Sequence, residues 1–192
     1  MAMSLFRQMK SILGSHTKSI FALFLSLILF FGLISCAKQA GEPQMFSGSV
    51  LHFSDLIRNV KARDIHTGKL NYAVVRREWV EWYYKQFRDE IGKGQFGVIK
   101  WDKLFTCTAF TTRFVADAQL HFFRNAWHDT IQYRAESVAI GEFWFQPQPT
   151  GPGHAIAVCM TENGLEFFEP QTGQWVNITE EQRTRNWFAK FD

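Results

Sequence analysis

From Ile20 to Leu33 the chain is apolar except for Ser26 and Gly32, and this run constrains how everything after it can be organised. Arg7, Lys10 and Lys18 lead into it, and Leu33-Ile34-Ser35-Cys36 closes it. A basic start, an apolar centre and a small-residue exit make an export signal. An apolar centre of about fourteen residues is short for a hydrocarbon slab of ~30 Å, so a spanning helix is the weaker reading. Three parts are therefore expected: a signal over residues 1–35, a tether over 36–50 and one folded domain over 51–192.

The closing residues resemble the lipobox of bacterial lipoproteins. That resemblance implies acylation of Cys36, a membrane partner reached through the lipid, and a place in the cell envelope. Ala37 rather than an acid follows Cys36, which by the same resemblance implies the periplasmic face of the outer membrane where two membranes are present. Removing the signal also changes the charge. Its three basic residues account for the whole formal charge of +3, leaving 18 basic against 18 acidic residues. The sequence pI of 8.8 therefore gives no ground for a nucleic-acid partner. Ala37–Ser49 holds Gly, Pro, Gln and Ser and reads as a short tether. Beyond it only Cys107 and Cys159 carry thiols, in a compartment where disulfides form.

The rest of the chain is rich in Trp and Phe, enough for a substantial core. Ser54-Asp55 ahead of Leu56, Ile57 and Val60 predicts a short capped helix. From Tyr72 to Ile91 apolar residues recur at steps of three and four (Val75, Trp79, Trp82, Tyr83, Phe87) and predict an amphipathic helix. Gly92-Lys93-Gly94 should end it. A second helix is expected over Thr108–Trp127, where Phe110, Phe114, Ala118, Phe122 and Ala126 step by four.

After residue 130 the pattern turns to strands: Ser137–Phe145, His154–Thr161, Leu165–Glu169 and Gln174–Ile178. Gln146–Gly153, with three Pro and two Gly, is a loop. Glu162-Asn163-Gly164 marks a hairpin, and Thr179-Glu180-Glu181-Gln182 is a capping box opening a last helix. Helices first and antiparallel strands after predict an α+β fold. Trp79, Trp82, Phe110, Phe114, Ile156 and Phe168 are the candidate core.

Cys107 falls at a predicted helix start, where the dipole and unpaired N–H groups favour a thiolate. Gly153-His154 opens a strand directly after the loop, and Glu169 stands on the neighbouring strand. A nucleophile on a helix, a base on a strand and an orienting acid on the next is the arrangement of covalent acyl transfer. The order Cys, His, acid on helices followed by strands resembles that of papain-like hydrolases.

Gly153-His154-Ala155-Ile156 and Gly164-Leu165-Glu166-Phe167-Phe168-Glu169-Pro170-Gln171-Thr172-Gly173 resemble, more specifically, the papain-like domain of a fungal galactose-binding agglutinin and its bacterial relatives. The resemblance covers roughly Trp101–Val176 and implies a papain-like fold and a Cys–His–Glu cysteine peptidase, with Cys107 as nucleophile, His154 as base and Glu169 as orienting acid. Calcium activates the fungal member of that family, whereas no cofactor is expected for this chain. Here the chain departs from the pattern: the relatives carry an acidic Asp-Cys-Asp-Asp-Phe run, whereas this chain has Phe105-Thr106-Cys107-Thr108-Ala109-Phe110.

Several alternatives stay open. Cys107 could instead pair with Cys159 in a disulfide, but it cannot be near both His154 and Cys159, which stand ~16 Å apart along one strand at ~3.3 Å per residue. A two-residue Asn163-Gly164 turn would set Glu169 opposite Val158 and bring Gln171 or Thr172 closer to His154. A turn nearer Thr161-Glu162, or a bulge, is needed to bring Glu169 alongside. Gln171 and Gln95 are therefore secondary candidates; Gln95, twelve residues before Cys107, is a distant oxyanion donor. His52, His66, His121 and His128 show no zinc-ligand spacing. The function expected is an envelope-anchored cysteine hydrolase acting on a peptide or protein. The alternative is an inactive domain of the same fold that binds an envelope partner.

Overall fold

The computed structural model describes residues 41–93, 106–126 and 130–192. In chain order the elements are β1 (Phe46–His52), α1 (Phe53–Val60), β2 (Ile65–Thr67), β3 (Asn71–Val75), α2 (Arg77–Lys93) and α3 (Cys107–Ala126). A 3-10 turn (Thr130–Tyr133) leads to β4 (Ser137–Val138), β5 (Ile140–Phe145), β6 (His154–Thr161) and β7 (Gly164–Glu169). Then come β8 (Gln174–Val176), α4 (Glu180–Thr184) and β9 (Asn186–Phe191). No described helix is long and apolar enough to cross a membrane.

All nine strands among the described residues join one curled sheet in the order β1-β3-β6-β5-β9-β2, with β4 on β3 and the β7-β8 pair branching from β6. Its middle is antiparallel: β5 and β7 both pair β6 that way, and β5 pairs β9. The sheet as a whole is mixed, because β2 runs parallel to β9 and β3 runs parallel to both β4 and β6. The expectation of a purely antiparallel sheet is corrected here; the fold is α+β. Each parallel pairing includes β2 or β3, two strands that precede the run of strands the sequence pattern displays after residue 130.

Strand β6 sits between two cores. Ala157 and Cys159 belong to a cluster with Trp79, Tyr83, Phe87, Phe110, Phe114 and Phe168, formed under α2 and α3. Ile156, Val158 and Met160 belong to a second, with Tyr72, Phe143, Phe145, Phe167, Phe191 and, from α1, Leu56 and Val60. This is the two-residue alternation of a strand covered on both faces. Five of the six candidate core residues are buried; Trp82 packs only partly.

Three further expectations change. Tyr72–Val75, read as the first turn of a helix, is strand β3, and helix α2 begins only at Arg77. Tyr72, Ala73, Val74 and Val75 are all buried. A helix turn exposes one side, whereas a β-branched pair in a central strand packs on both. The Arg77 N–H at the helix start donates to Glu162 Oε2 at 2.9 Å, satisfying one of the end's unpaired donors. Residues 46–50, read as tether, form the beginning of β1, with Met45 and Phe46 buried in the helical core and Phe46 set edge-on to Phe122. Finally, the cap of α1 is His52 rather than Ser54: its side chain accepts from the Ser54 N–H. Cys36, Gln95, Trp101 and His128 lie outside the described residues.

Candidate active site

Helix α3 starts at Cys107, so the thiol is carried on the helix's first residue, with the favourable end of the dipole at hand. The helix is pinned to the sheet one turn later, where Thr111 Oγ1 donates to the Ala155 carbonyl at 2.9 Å in a buried bond. Such a bond contributes about 0.5–1.5 kcal/mol; here it also fixes the distance between helix start and strand start. His154 is the first residue of β6, so the helix meets the strand end-on, thiol to imidazole.

Glu169 reaches the imidazole through the hairpin's register. Thr161 pairs Gly164 and Ala157 pairs Phe168, so the turn is Glu162-Asn163, one residue earlier than an Asn163-Gly164 turn would be. The Asn163 N–H is held by Thr161 Oγ1 at 3.0 Å, and Gly164 takes φ +106°, a conformation open to glycine at little cost. Continuing that register sets Glu169 opposite Ile156, two residues from His154 and on the same face, within diagonal reach of a long side chain. In the alternative register it would lie four residues away.

The contact is direct. His154 Nε2 and Glu169 Oε2 are 2.5 Å apart, with side-chain exposures of 27% and 10%. Cys107 is the imidazole's other hydrogen-bond partner. The second carboxylate oxygen accepts from the Gln171 N–H at 3.0 Å. The turn that follows is closed by the Thr172 and Gly173 N–H groups on the Glu169 carbonyl, and Arg88 Nη1 donates to the Gln171 carbonyl at 3.2 Å. Gln171 thus supports Glu169 with its backbone, while its side-chain Nε2 is buried without a hydrogen-bond partner.

The electrostatics follow from these partners. Cys107 is held below the ordinary thiol range, first by its hydrogen bond with His154, against the opposing effect of burial; the Ala155 backbone, the imidazolium charge and the Thr108 side chain add to it. His154 is pushed up to about 9, first by Cys107 and then by Glu169, with burial opposing. The shifts have opposite signs and favour one state, thiolate beside imidazolium. Phe145, the cross-strand partner of His154, sets its ring edge-to-face at 6.0 Å and walls off one side.

Cys107 and Cys159 are both free thiols, so the disulfide alternative is set aside. Cys159 is buried in the helical core. The structure therefore brings Cys107, His154 and Glu169 together, adds Gln171 behind Glu169, and leaves Cys159 apart. Ala155, Thr108 and Thr111 had no motif of their own; a signal lay in the hydroxyls one and four residues after Cys107, on one helix turn. Among the described residues no group of three His, Cys, Asp or Glu could hold a metal ion. Threonines flank Cys107 where the resemblance would place acidic residues.

No family model matches the chain, and no curated protein matches it by sequence. Among solved structures it is similar to the Polyporus squamosus lectin PSL1a, in a structure described as the PSL1a–E64 complex: TM-score 0.52, 15% identity, over 74% of this chain and 51% of that one. It is also similar to the Polyporus squamosus lectin described as bound to the human-type influenza-binding epitope Neu5Acα2-6Galβ1-4GlcNAc, with TM-score 0.48 and 17% identity over 72% of this chain and 46% of that one. The chain spans about half the length of these neighbours. At such identity the likeness is one of backbone: the domain has the α+β fold of part of a fungal lectin.

Proposed function

We propose that the domain is a papain-like cysteine hydrolase, most simply a peptidase, working through Cys107, His154 and Glu169. The observation that carries this reading is the continuous chain of contacts from thiol to imidazole to carboxylate, with the thiol lowered and the imidazole raised. The thiolate of Cys107 attacks a substrate carbonyl carbon. A C–S bond forms and the carbonyl π electrons move to oxygen. When that intermediate collapses, the C–N bond breaks and His154 gives its proton to the leaving amine. A water molecule, deprotonated by His154, then opens the thioester and returns the thiol. Glu169 holds the ring in orientation and stabilises its cationic form without taking the proton. The N–H groups at the start of α3, and that of Ala155, which is already a hydrogen-bond partner of the sulfur, are donors for the developing oxyanion.

The test is cleavage of a mixed peptide library by the purified domain, with Cys107→Ala alongside. Cleavage by wild type and none by the variant is the result expected. Cleavage retained by Cys107→Ala would overturn the reading. No cleavage by either, with retained binding of an envelope component, would leave the fold as a binding module. E64, named with the lectin neighbour, is a natural second probe of Cys107.

The N-terminal residues support a second element of the same proposal, an envelope anchor. Leu33-Ile34-Ser35-Cys36 would be processed to leave an acylated Cys36 at the membrane. Metabolic labelling with a fatty acid should mark wild type and fail to mark Cys36→Ser. An unlabelled wild type would remove the anchor while leaving the hydrolase proposal untouched.

A further inference from the structure

His154 opens β6 directly after the loop over residues 146–153, so the position of the imidazole depends on what holds that loop. Within it, Gln146 Nε2 donates to the Gly151 carbonyl at 3.0 Å. Otherwise its start is tied to a segment nearly forty residues later. The Gln146 N–H donates to the Arg185 carbonyl at 3.2 Å. Arg185 returns two bonds, Nε to the Gln146 carbonyl at 3.0 Å and Nη2 to the Pro147 carbonyl at 2.9 Å. Gln182 Nε2 adds a third donor, to the Pro147 carbonyl at 3.3 Å. The guanidinium is itself oriented by Glu181, with Nη1–Oε1 at 2.5 Å.

The far end of the loop is held by the next residues of the same segment. Trp144 pairs Phe188 and Phe145 pairs Asn186, so Trp187 is the extra residue of a β-bulge. A bulge re-aims the side chain it carries. Trp187 is turned onto Gly153: a Cβ there would lie 2.4 Å from the indole Cη2 and 2.9 Å from Cζ2. Only glycine lets the ring lie so close to the residue before His154. The segment is anchored from behind, since Asn186 Oδ1 accepts from the Arg63 N–H at 2.6 Å and its Nδ2 donates to the Lys61 carbonyl at 3.2 Å.

We propose that the segment from Gln182 to Trp187 is a clamp that positions His154 against Cys107, with Arg185 and the Trp187–Gly153 contact as its two jaws. Neither jaw touches the reacting atoms, so both are positioning elements. The inference rests on the hydrolase reading above, and the experiment separates the two.

The rate of alkylation by iodoacetamide is measured against pH for wild type, Arg185→Met, Arg185→Lys and Gly153→Ala, with melting curves for each. Wild type should react below pH 7 through its paired thiolate. Arg185→Met and Gly153→Ala should lose about tenfold at pH 6, the effect of one unit in the thiol's titration, while reacting like wild type at pH 10. Arg185→Lys should recover part of the loss, since one ammonium can still reach one carbonyl. A clamp that only added stability would lower the melting temperature and leave the pH profile in place, and that result overturns the proposal. Should Arg185→Met fail to fold, Gly153→Ala decides alone: an unchanged profile overturns the clamp and a tenfold loss at pH 6 upholds it. A wild type with the profile of an ordinary thiol would instead overturn the hydrolase reading, and the clamp with it.

Discussion

Cys107 and Cys159 are the same residue in two settings separated by the length of one strand. Cys159 stands five residues after His154 on β6, wholly buried among Phe110, Phe114 and the other aromatics beneath the helices. Burial, and then the charge of Glu166, pushes its thiol far above the ordinary range. Cys107 stands at the strand's open end, half-buried, and its partners outweigh the same burial penalty and push its thiol down. The difference teaches that the sheet's middle supplies rigidity and its end supplies chemistry. Desolvation acts on both thiols with the same sign; hydrogen bonds to the charged form decide which is shifted toward the thiolate.

The largest break in that comparison is to remove the imidazole. His154→Ala should turn Cys107 into a thiol governed by its helix end alone. Alkylation at pH 6 should fall by well over tenfold, each unit of restored pKa counting tenfold, and peptide turnover should vanish. Glu169→Gln is the graded version. The imidazole keeps Cys107 but loses the carboxylate that helps raise it, so the upper edge of the reactive window should move down from about 9. The same shift bears on stability, with a definite sign. A histidine whose folded pKa lies above the unfolded ~6.5 contributes stability that is full below ~6.5 and is lost as the pH rises through the folded value. Thermal melts of wild type and Glu169→Gln should therefore differ most below pH 6.5 and converge above pH 9. Parallel curves across that range would mean that the carboxylate does not act through the imidazole's charge.

How much of this was legible in the sequence depends on how local each signal is. His154–Thr161 reads directly as a strand because both its ends are marked, by Gly153 and by the hairpin, and α3 reads from its four-residue stride. Tyr72–Val75 misleads because Val75 stands four residues before Trp79 and so fits the helical stride of Trp79 and Tyr83; only burial on both faces, a tertiary property, makes it a strand. For the candidate site, the residue types and chain order were visible, but the relation of Glu169 to His154 hung on a one-residue choice of turn. Thr161 decided it, through a side-chain bond that no pattern displays. The holding of the His154 loop by Arg185 and Trp187 left no trace, since a bulge and a contact onto a glycine form only when distant strands meet.

The smallest expected effect sharpens the comparison from the other side. Cys159 packs between sheet and helices with its sulfur in apolar company, and Ala157, two residues earlier in the same core, shows that an alanine suits this face of β6. Cys159→Ala removes one heavy atom from a buried site and should cost about 1 kcal/mol, comparable to deleting one methyl from a core. For a domain of this size that is a fall of roughly 2–4 °C in melting temperature. Its peptide turnover and its alkylation profile should match wild type, because Cys159 is not among the hydrogen-bond or charge partners that shift Cys107 or His154. In the folded domain Cys159 itself should stay unreactive toward iodoacetamide from pH 6 to 9 and react only on unfolding. A changed pH profile in Cys159→Ala would show that the middle of β6 does more than carry its end, and would dissolve the division between the two thiols.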